Sequence, residues 1–383
     1  MNIGIITFYY KNDNFGGVLQ AYALPTAINQ FFFATHCEQI QYDYRNREHR
    51  NLKETWIKLV VKKIVYLPFK AKARSGLKKR KEAFELFRQS IPHSKAVYTD
   101  INIQEVQNLY DVFICGGDQI WNDWGENCTT EAFEQFVLKF AKGKKISYAP
   151  SIGNNQLSHN KYKTLAVRLQ DFSAVSVRER SAKYSLQPYI DRDIQVVLDP
   201  VLLLESREWD KIATKSQARK YALAYFLGTD KENRQATQKY AKRCVLKTYV
   251  FPYINGNVIN KSDLFFGDIR DFTSGPAEFV GLIKSAECVI TDSFHAIVFS
   301  LIYHKPFYVF ERNTQVGGGT MNSRIHDFLE EFGLQDRLVT PEQLEKKKTI
   351  EPIDYTYADK VLACCRKESY DYLKTALGIQ NEV

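Results

Sequence analysis

The stretch ECVITDSFHAIVFSLIYHKPFYVF, residues 287–310, decides the fold. ECVITD reads as a buried strand, FHAIVFSLIYH as a helix and PFYVF as the next strand. A strand, helix and strand so close together imply a parallel pair joined by a right-handed crossover. Asp292 and Ser293 stand where a helix cap belongs, so His295 falls in the first helical turn, beside free backbone N–H groups and the positive end of the helix dipole. An imidazole there can donate to a carboxylate or phosphate, or move a proton near neutral pH.

The same unit recurs outward in both directions. NIGIITFY reads as a strand, KNDNFGG as a loop and VLQAYALPTAINQFFF as a helix; CEQIQYDY and DVFICGG read as the second and third strands. KKISYAPSIG and FSAVSVRER read as buried strands entering polar turns, and IQVVLDP as the last strand before a lobe boundary near Asp199-Pro200. The pattern then restarts with YALAYFLG, KENRQATQKYAKRC and KTYVFPY as strand, helix and strand. These readings predict an α/β protein of two doubly wound, Rossmann-like lobes facing across a cleft: residues 1–200, residues 201–352, and a closing helix over 353–383. In such sheets ligands sit at the carboxyl ends of strands. Those ends carry KNDNFGG, GGDQIWN, APSIG and SVRER.

Bulk properties agree with a globular protein and narrow its classes. A chain of 383 residues, 44% hydrophobic and 14% aromatic, suits two cores rather than one. Its seven cysteines are scattered and never form paired CxxC motifs, which points to reduced thiols of a cytoplasmic protein and away from structural zinc, and no other cluster demands a metal. MNIGIITFYY lacks the basic start and cleavage site of a secretion signal, and no apolar run reaches the roughly 20 residues of a membrane span. Residues 45–81 hold fourteen Lys or Arg against Glu48 and Glu54, so the rest of a chain of formal charge +9 sums to −3.

Three further motifs carry chemistry. In SVRERS, Arg178 and Arg180 follow a buried strand, and alternation aims Arg178 with Ser176 toward the cleft, where a guanidinium suits forked contact with carboxylate or phosphate. GGDQIWND joins a glycine pair ending at Gly117 to the polar groups of Asp118, Gln119 and Asn122 and to Trp121, a set that can grip a sugar with its ring on the indole. Asn14 and Gly16 of the first loop are candidates for the same ligand. Neither glycine-rich loop matches GxGxxG or a Walker A sequence, so no nucleotide cofactor is expected.

Taken in order, NFGGVLQAYAL, DVFICGGDQIWN, SYAPSIG, SVRERS, VVLDPVLLL, ITDSFHAIVFSLIYHKPF and SRIHDFL resemble the polysaccharide pyruvyl transferase family over most of the chain. The resemblance implies a GT-B-like fold and transfer of the pyruvyl group of phosphoenolpyruvate, the donor substrate, onto hexose hydroxyls of a surface polysaccharide or its lipid-linked precursor, closing a cyclic ketal. It implies no other cofactor. His295 then acts in catalysis with Asp118, and Arg178 and Ser293 contact the donor. Asn14, Gly16, Gly117, Gln119, Trp121 and Asn122 face the acceptor. Many members carry Arg-Leu-His where this chain has Ser293-Phe294-His295, and Arg324 or Arg312 is the candidate replacement for the missing cation. A GT-B glycosyltransferase using a sugar nucleotide and a non-catalytic glycan-binding protein are the alternatives.

The basic segment 45–81 contains TWIKLVVKKIVYL, residues 55–67, an amphipathic pattern with Trp56 near its start. It makes an anionic membrane surface a candidate partner, suited to peripheral attachment at the inner face of the cell membrane. It carries no base-reading module, so nucleic acid is not expected.

Overall fold

Strand β1 (Asn2–Ile6) is buried from Ile3 onward on both faces, as a parallel strand covered by helices must be. In the computed structural model it forms the centre of a five-stranded parallel sheet with β2 (His36–Tyr42), β3 (His93–Tyr98), β4 (Val112–Gly116) and β5 (Lys144–Tyr148), in the order β3-β2-β1-β4-β5. The structure describes residues 1–44, 67–122, 130–153, 157–255, 258–312, 315–316, 319–320 and 322–380. Ala174 bridges to Ile146 beyond β5, and β6 (Ser176–Val177) pairs with β7 (Gln195–Val196).

The second lobe repeats this plan. β8 (Tyr221–Tyr225) is central, β9 (Lys247–Phe251) lies beside it, and a short antiparallel pair follows, β10 (Ile254–Asn255) with β11 (Val258–Ile259). With β12 (Ile269–Arg270), β13 (Cys288–Thr291) and β14 (Phe307–Val309) the order is β12-β9-β8-β13-β14, all parallel. In each sheet the strand order therefore reverses once, between β1 and β4 and between β8 and β13. The crevices outside those carboxyl ends are where such sheets bind ligands.

Several local readings are corrected. The first helix begins at Phe15, not after the glycines, because the Asn14 side chain accepts from Gly17 N and caps it. Pro25 lies inside this helix; lacking an N–H, it frees the Ala21 carbonyl, and Gln39 Nε2 donates to that oxygen at 2.8 Å. DVFICGG is the fourth strand, since HSKAVY forms β3; three exposed positions in a row hid its alternation. The SVRER strand is reduced to β6, with Arg178 just past its end. Trp56 and the start of the basic segment lie outside the described residues, while the rest joins the helix Leu67–Ser90. Among the described residues no helix is long and apolar enough to cross a membrane.

The lobes are bound tightly. Phe15 of the first lobe stacks on Phe279 of the second, with centroids 4.5 Å apart, and touches Tyr225 and Phe251. The helix Thr356–Leu377 returns to the first lobe, where Ser369 Oγ accepts from Leu198 N, Tyr372 donates to the Ser147 carbonyl and Arg366 Nε donates to the Leu202 carbonyl.

Candidate active site between the lobes

Two helix N-termini meet where the switch points face each other. The helix Phe15–Phe31 presents Gly16, and the helix Phe294–Ile302 presents His295. A Cβ on Gly16 would lie 2.0 Å from His295 Nδ1, so glycine is what allows the imidazole to rest on the first lobe. The other ring nitrogen, Nε2, stands 3.4 Å from Asp199 Oδ2. That is ion-pair range without hydrogen-bond alignment, and Nε2 has no hydrogen-bond partner among the described residues.

The same Asp199 oxygen accepts from Arg178 Nη1 at 2.7 Å, and Arg178 Nε donates to Glu179 Oε1 at 2.7 Å. Asp199 Oδ1 takes the Val201 N–H. Asp199 is thus the link between the imidazole of one lobe and the guanidinium of the other. Burial alone would raise its pKa, but His295, Arg178 and the Val201 N–H overcome that and hold it at about 2. Burial likewise opposes charge on Arg178, and Glu179 and Asp199 outweigh it, keeping the guanidinium above its ordinary range.

Two more buried arginines complete the cluster. Arg324 lies on the helix Ser323–Glu331, and the Gln119 amide, with its oxygen turned toward the guanidinium, accepts from both Nη1 and Nη2. Burial, then repulsion from Arg312 and Arg178, lowers Arg324 from 12.5 to about 9. Arg312 Nε donates to the Asp292 carbonyl at 2.9 Å and lies 3.5 Å from its carboxylate, which also accepts from Leu227 N and Gly228 N at the second switch point. Arg178 and Arg324 both overlie the Phe294 ring, at 4.5 and 5.9 Å from its centroid. Arg178 Nη2, Arg312 Nη2 and Arg324 Nε are buried donors with no hydrogen-bond partner among the described residues. Buried N–H groups of cations left unpaired are costly. A cluster carrying several of them can receive an anion, and Glu179 Oε2 beside them is a buried acceptor equally without a partner among the described residues.

Arg178, Asp199, Phe294 and Arg324 line one cavity of 290 Å³, enough for a small ligand. A larger open groove lies at the strand starts of the second sheet, beside Arg219, Lys220 and Lys247, at the end opposite the switch points. Among the described residues no group of three or more His, Cys, Asp or Glu is placed to hold a metal ion.

The remaining sequence candidates divide. Asp118 is half-buried, its Oδ1 accepting from Gln119 N, and a Cβ on Gly17 would lie 3.0 Å from its Oδ2, which places it over the first helix N-terminus. Gln119 and Asn122 are buried against each other, with Asn122 8% exposed, so they support Arg324 rather than open solvent. Trp121 is corrected: it is 1% exposed and its indole N–H donates to the Phe136 carbonyl, which makes it core and not a sugar plate. Gly117 is corrected too, because its close approach, at φ +88°, is taken up by Gln20 and Pro200. Asn14 is exposed and serves as the cap described above, and Ser293 N donates to Thr291 Oγ1 while its own hydroxyl makes no cap bond. Asp199 and Glu179 were missed as site residues. An Asp before Pro reads as a turn or helix cap, and only the tertiary fold brings it under His295.

Residues 14–314 match the family model described as polysaccharide pyruvyl transferase. Among solved structures, the UDP-GlcNAc 2-epimerase of Methanocaldococcus jannaschii is similar with a TM-score of 0.51 and 13% identity, over 97% of this chain and 100% of that one. Arabidopsis thaliana UGT89C1, complexed with UDP-L-rhamnose, gives a TM-score of 0.51 at 8% identity over 97% and 94% of the two chains. No curated protein sequence matches. At such identities the likeness shows the fold alone, the two-lobed GT-B arrangement. With the family model spanning both lobes and the cleft residues from Gly16 to Arg312, the chain belongs to the polysaccharide pyruvyl transferase family.

Proposed function

We propose that the protein transfers the pyruvyl group of phosphoenolpyruvate to hydroxyls of a hexose in a polysaccharide or its lipid-linked precursor, forming a cyclic ketal and releasing phosphate. The observation that carries this reading is the set of unpartnered N–H groups on Arg178, Arg312 and Arg324 beside His295. A donor with a carboxylate and a phosphate brings charge enough to satisfy them. Arg324 and Arg312 stand in for the arginine of the family's Arg-Leu-His, and Phe294 gives two guanidiniums a shared apolar face.

The chemistry needs a proton first. His295, whose Nε2 stands 3.4 Å from Asp199, delivers it to the methylene carbon of the enol, leaving an oxocarbenium-like carbon that bears a methyl group. A sugar hydroxyl adds to that carbon and gives up its proton, for which Asp118 is the nearby half-buried carboxylate. Phosphate then departs with its bonding pair, eased by the arginines, and the second hydroxyl closes the ketal with loss of its own proton. Donor plus diol thus balances ketal plus inorganic phosphate. Fixed cations aimed at the departing phosphate lower the barrier without reorganising.

The test is incubation with phosphoenolpyruvate and a panel of free and lipid-linked saccharides, reading phosphate release and a mass gain of one pyruvyl ketal. His295→Ala is expected to lose about 10²–10⁴-fold in rate while keeping its fold. Stabilisation by a uridine diphosphate, with none from phosphoenolpyruvate, supports a sugar-nucleotide transferase instead. Saccharide binding with neither donor response supports a glycan-binding protein.

A further inference from the structure

The short helix Arg180–Leu186 of the first lobe starts with Glu179 in the cap position, yet Glu179 makes no cap bond, because its Oε1 is held by Arg178. The cap comes from the other lobe. Asp327 Oδ2 accepts from Ser181 N at 3.0 Å and from Ser181 Oγ at 2.6 Å. One turn further along the same helix face, Glu331 accepts from Arg180 Nη2 at 3.3 Å, and Cys365 Sγ lies 3.6 Å from the same oxygen. Arg324, Asp327, Phe328 and Glu331 are spaced i, i+3, i+4 and i+7, so one stripe of the helix Ser323–Glu331 bears both the anion-facing guanidinium and the bonds that tie it to the first lobe. On the partner segment Arg178 and Ser181 are likewise three residues apart. Arg178, Arg180, Arg324, Asp327 and Glu331 all line the 290 Å³ cavity.

Two like charges do not hold themselves together. Arg178 and Arg324 repel, and that repulsion is among the causes that lower Arg324. Something must hold the segments that carry them. We infer that Asp327 is a positioning residue of the anion site: by capping the first-lobe helix at Ser181 it fixes how closely Arg324 approaches Arg178, and so sets affinity for a donor that carries a carboxylate and a phosphate. This rests on the donor reading proposed above.

The experiment measures binding of phosphoenolpyruvate, and separately of inorganic phosphate, to the full chain by calorimetry, together with steady-state kinetics. Asp327→Ala is expected to weaken both anions and raise KM for the donor by about tenfold, with kcat changed less than about threefold, the split that marks lost ground-state binding. Asp327→Asn keeps an accepting oxygen for Ser181 and is expected to recover most of the affinity. Ser181→Ala is expected to have a smaller effect and to add nothing to Asp327→Ala in the double variant, because the two share one interaction. Unchanged anion affinity in a folded Asp327→Ala, or full additivity in the double variant, overturns the inference. If the wild type binds phosphate but not phosphoenolpyruvate, the donor reading falls and the positioning role is judged on phosphate; if it binds neither, both fall.

Discussion

Asp199 faces a guanidinium of one lobe and an imidazole of the other with one oxygen, and its carboxylate is 0% exposed. Its folded pKa of about 2, against 3.8 ordinarily, means that the unfolded chain takes up the proton first as pH falls. The stabilisation is therefore complete above the ordinary value and lost as pH drops through the folded one; at 1.36 kcal/mol per unit it amounts to about 2 kcal/mol. Asp199→Asn should remove that amount or more at pH 7, and urea titrations should show a flatter loss of stability between the two values than the wild type gives. Arg324 presents the opposite sign. A cation lowered to about 9 is disfavoured in the folded state at neutral pH, and the penalty disappears only as pH rises from about 9 toward 12.5. Arg324→Met should thus raise the melting temperature of the ligand-free protein by at least about 2 °C, since replacing a strained buried charge with an apolar chain of similar length is commonly stabilising. The same variant should lose the thermal shift that phosphoenolpyruvate gives the wild type. Stability gained with donor response lost is what a site pre-strained for its anion requires.

Scaled up to elements, the contact of greatest consequence is the one between the two helix N-termini. Gly16 has no room for a methyl group, whereas a Cβ on the adjacent Gly17 would meet Asp118 Oδ2 at 3.0 Å and the Phe8 carbonyl at 3.2 Å. Gly16→Ala should therefore displace the imidazole and cost about 10²-fold in turnover, as a misplacement near 1 Å does. Gly17→Ala should cost less, with circular dichroism confirming that both keep their helices. The sequence made this juxtaposition only half visible. Capping residues and apolar periodicity located His295 in a first turn, and strand ends located Gly16 and Arg178, because those are local properties. Nothing local ties position 16 to 295 or 199 to 178. The misread elements fail for related reasons: β3 lies at a sheet edge where Lys95 and its neighbours face water, and Trp121 follows a polar turn but fills the core behind it. Polar residues around an aromatic look alike whether the ring faces a ligand or the interior.

At the scale of the whole molecule, the two sheets repeat one strand order, and beside a buried cluster of its own each lobe shares a third with the other. Ile5, Phe15 and Tyr148 of the first lobe belong to the same buried cluster as Tyr225, Phe279 and Phe299 of the second. Phe15 is its bridge, wholly buried and stacked across the lobe boundary on Phe279, with the Arg80 guanidinium 4.4 Å from its ring centroid. The helix Thr356–Leu377 adds a second tether by returning to the first lobe. Coupling this dense makes the lobes unfold together, and calorimetry of the wild type should give one transition whose calorimetric and van't Hoff enthalpies agree. Phe15→Ala removes the bridge without touching any group that faces the anion cavity. It should cost about 3–5 kcal/mol, the usual range for a buried phenylalanine, and broaden or split the transition as the lobes gain separate melting behaviour. Because His295 reaches Asp199 only while the lobes are in register, the same variant should also lose turnover in proportion to the loosened interface. Two well-resolved transitions in the wild type would instead mean that the lobes move as separate bodies, and the imidazole and guanidinium would then meet only during closure.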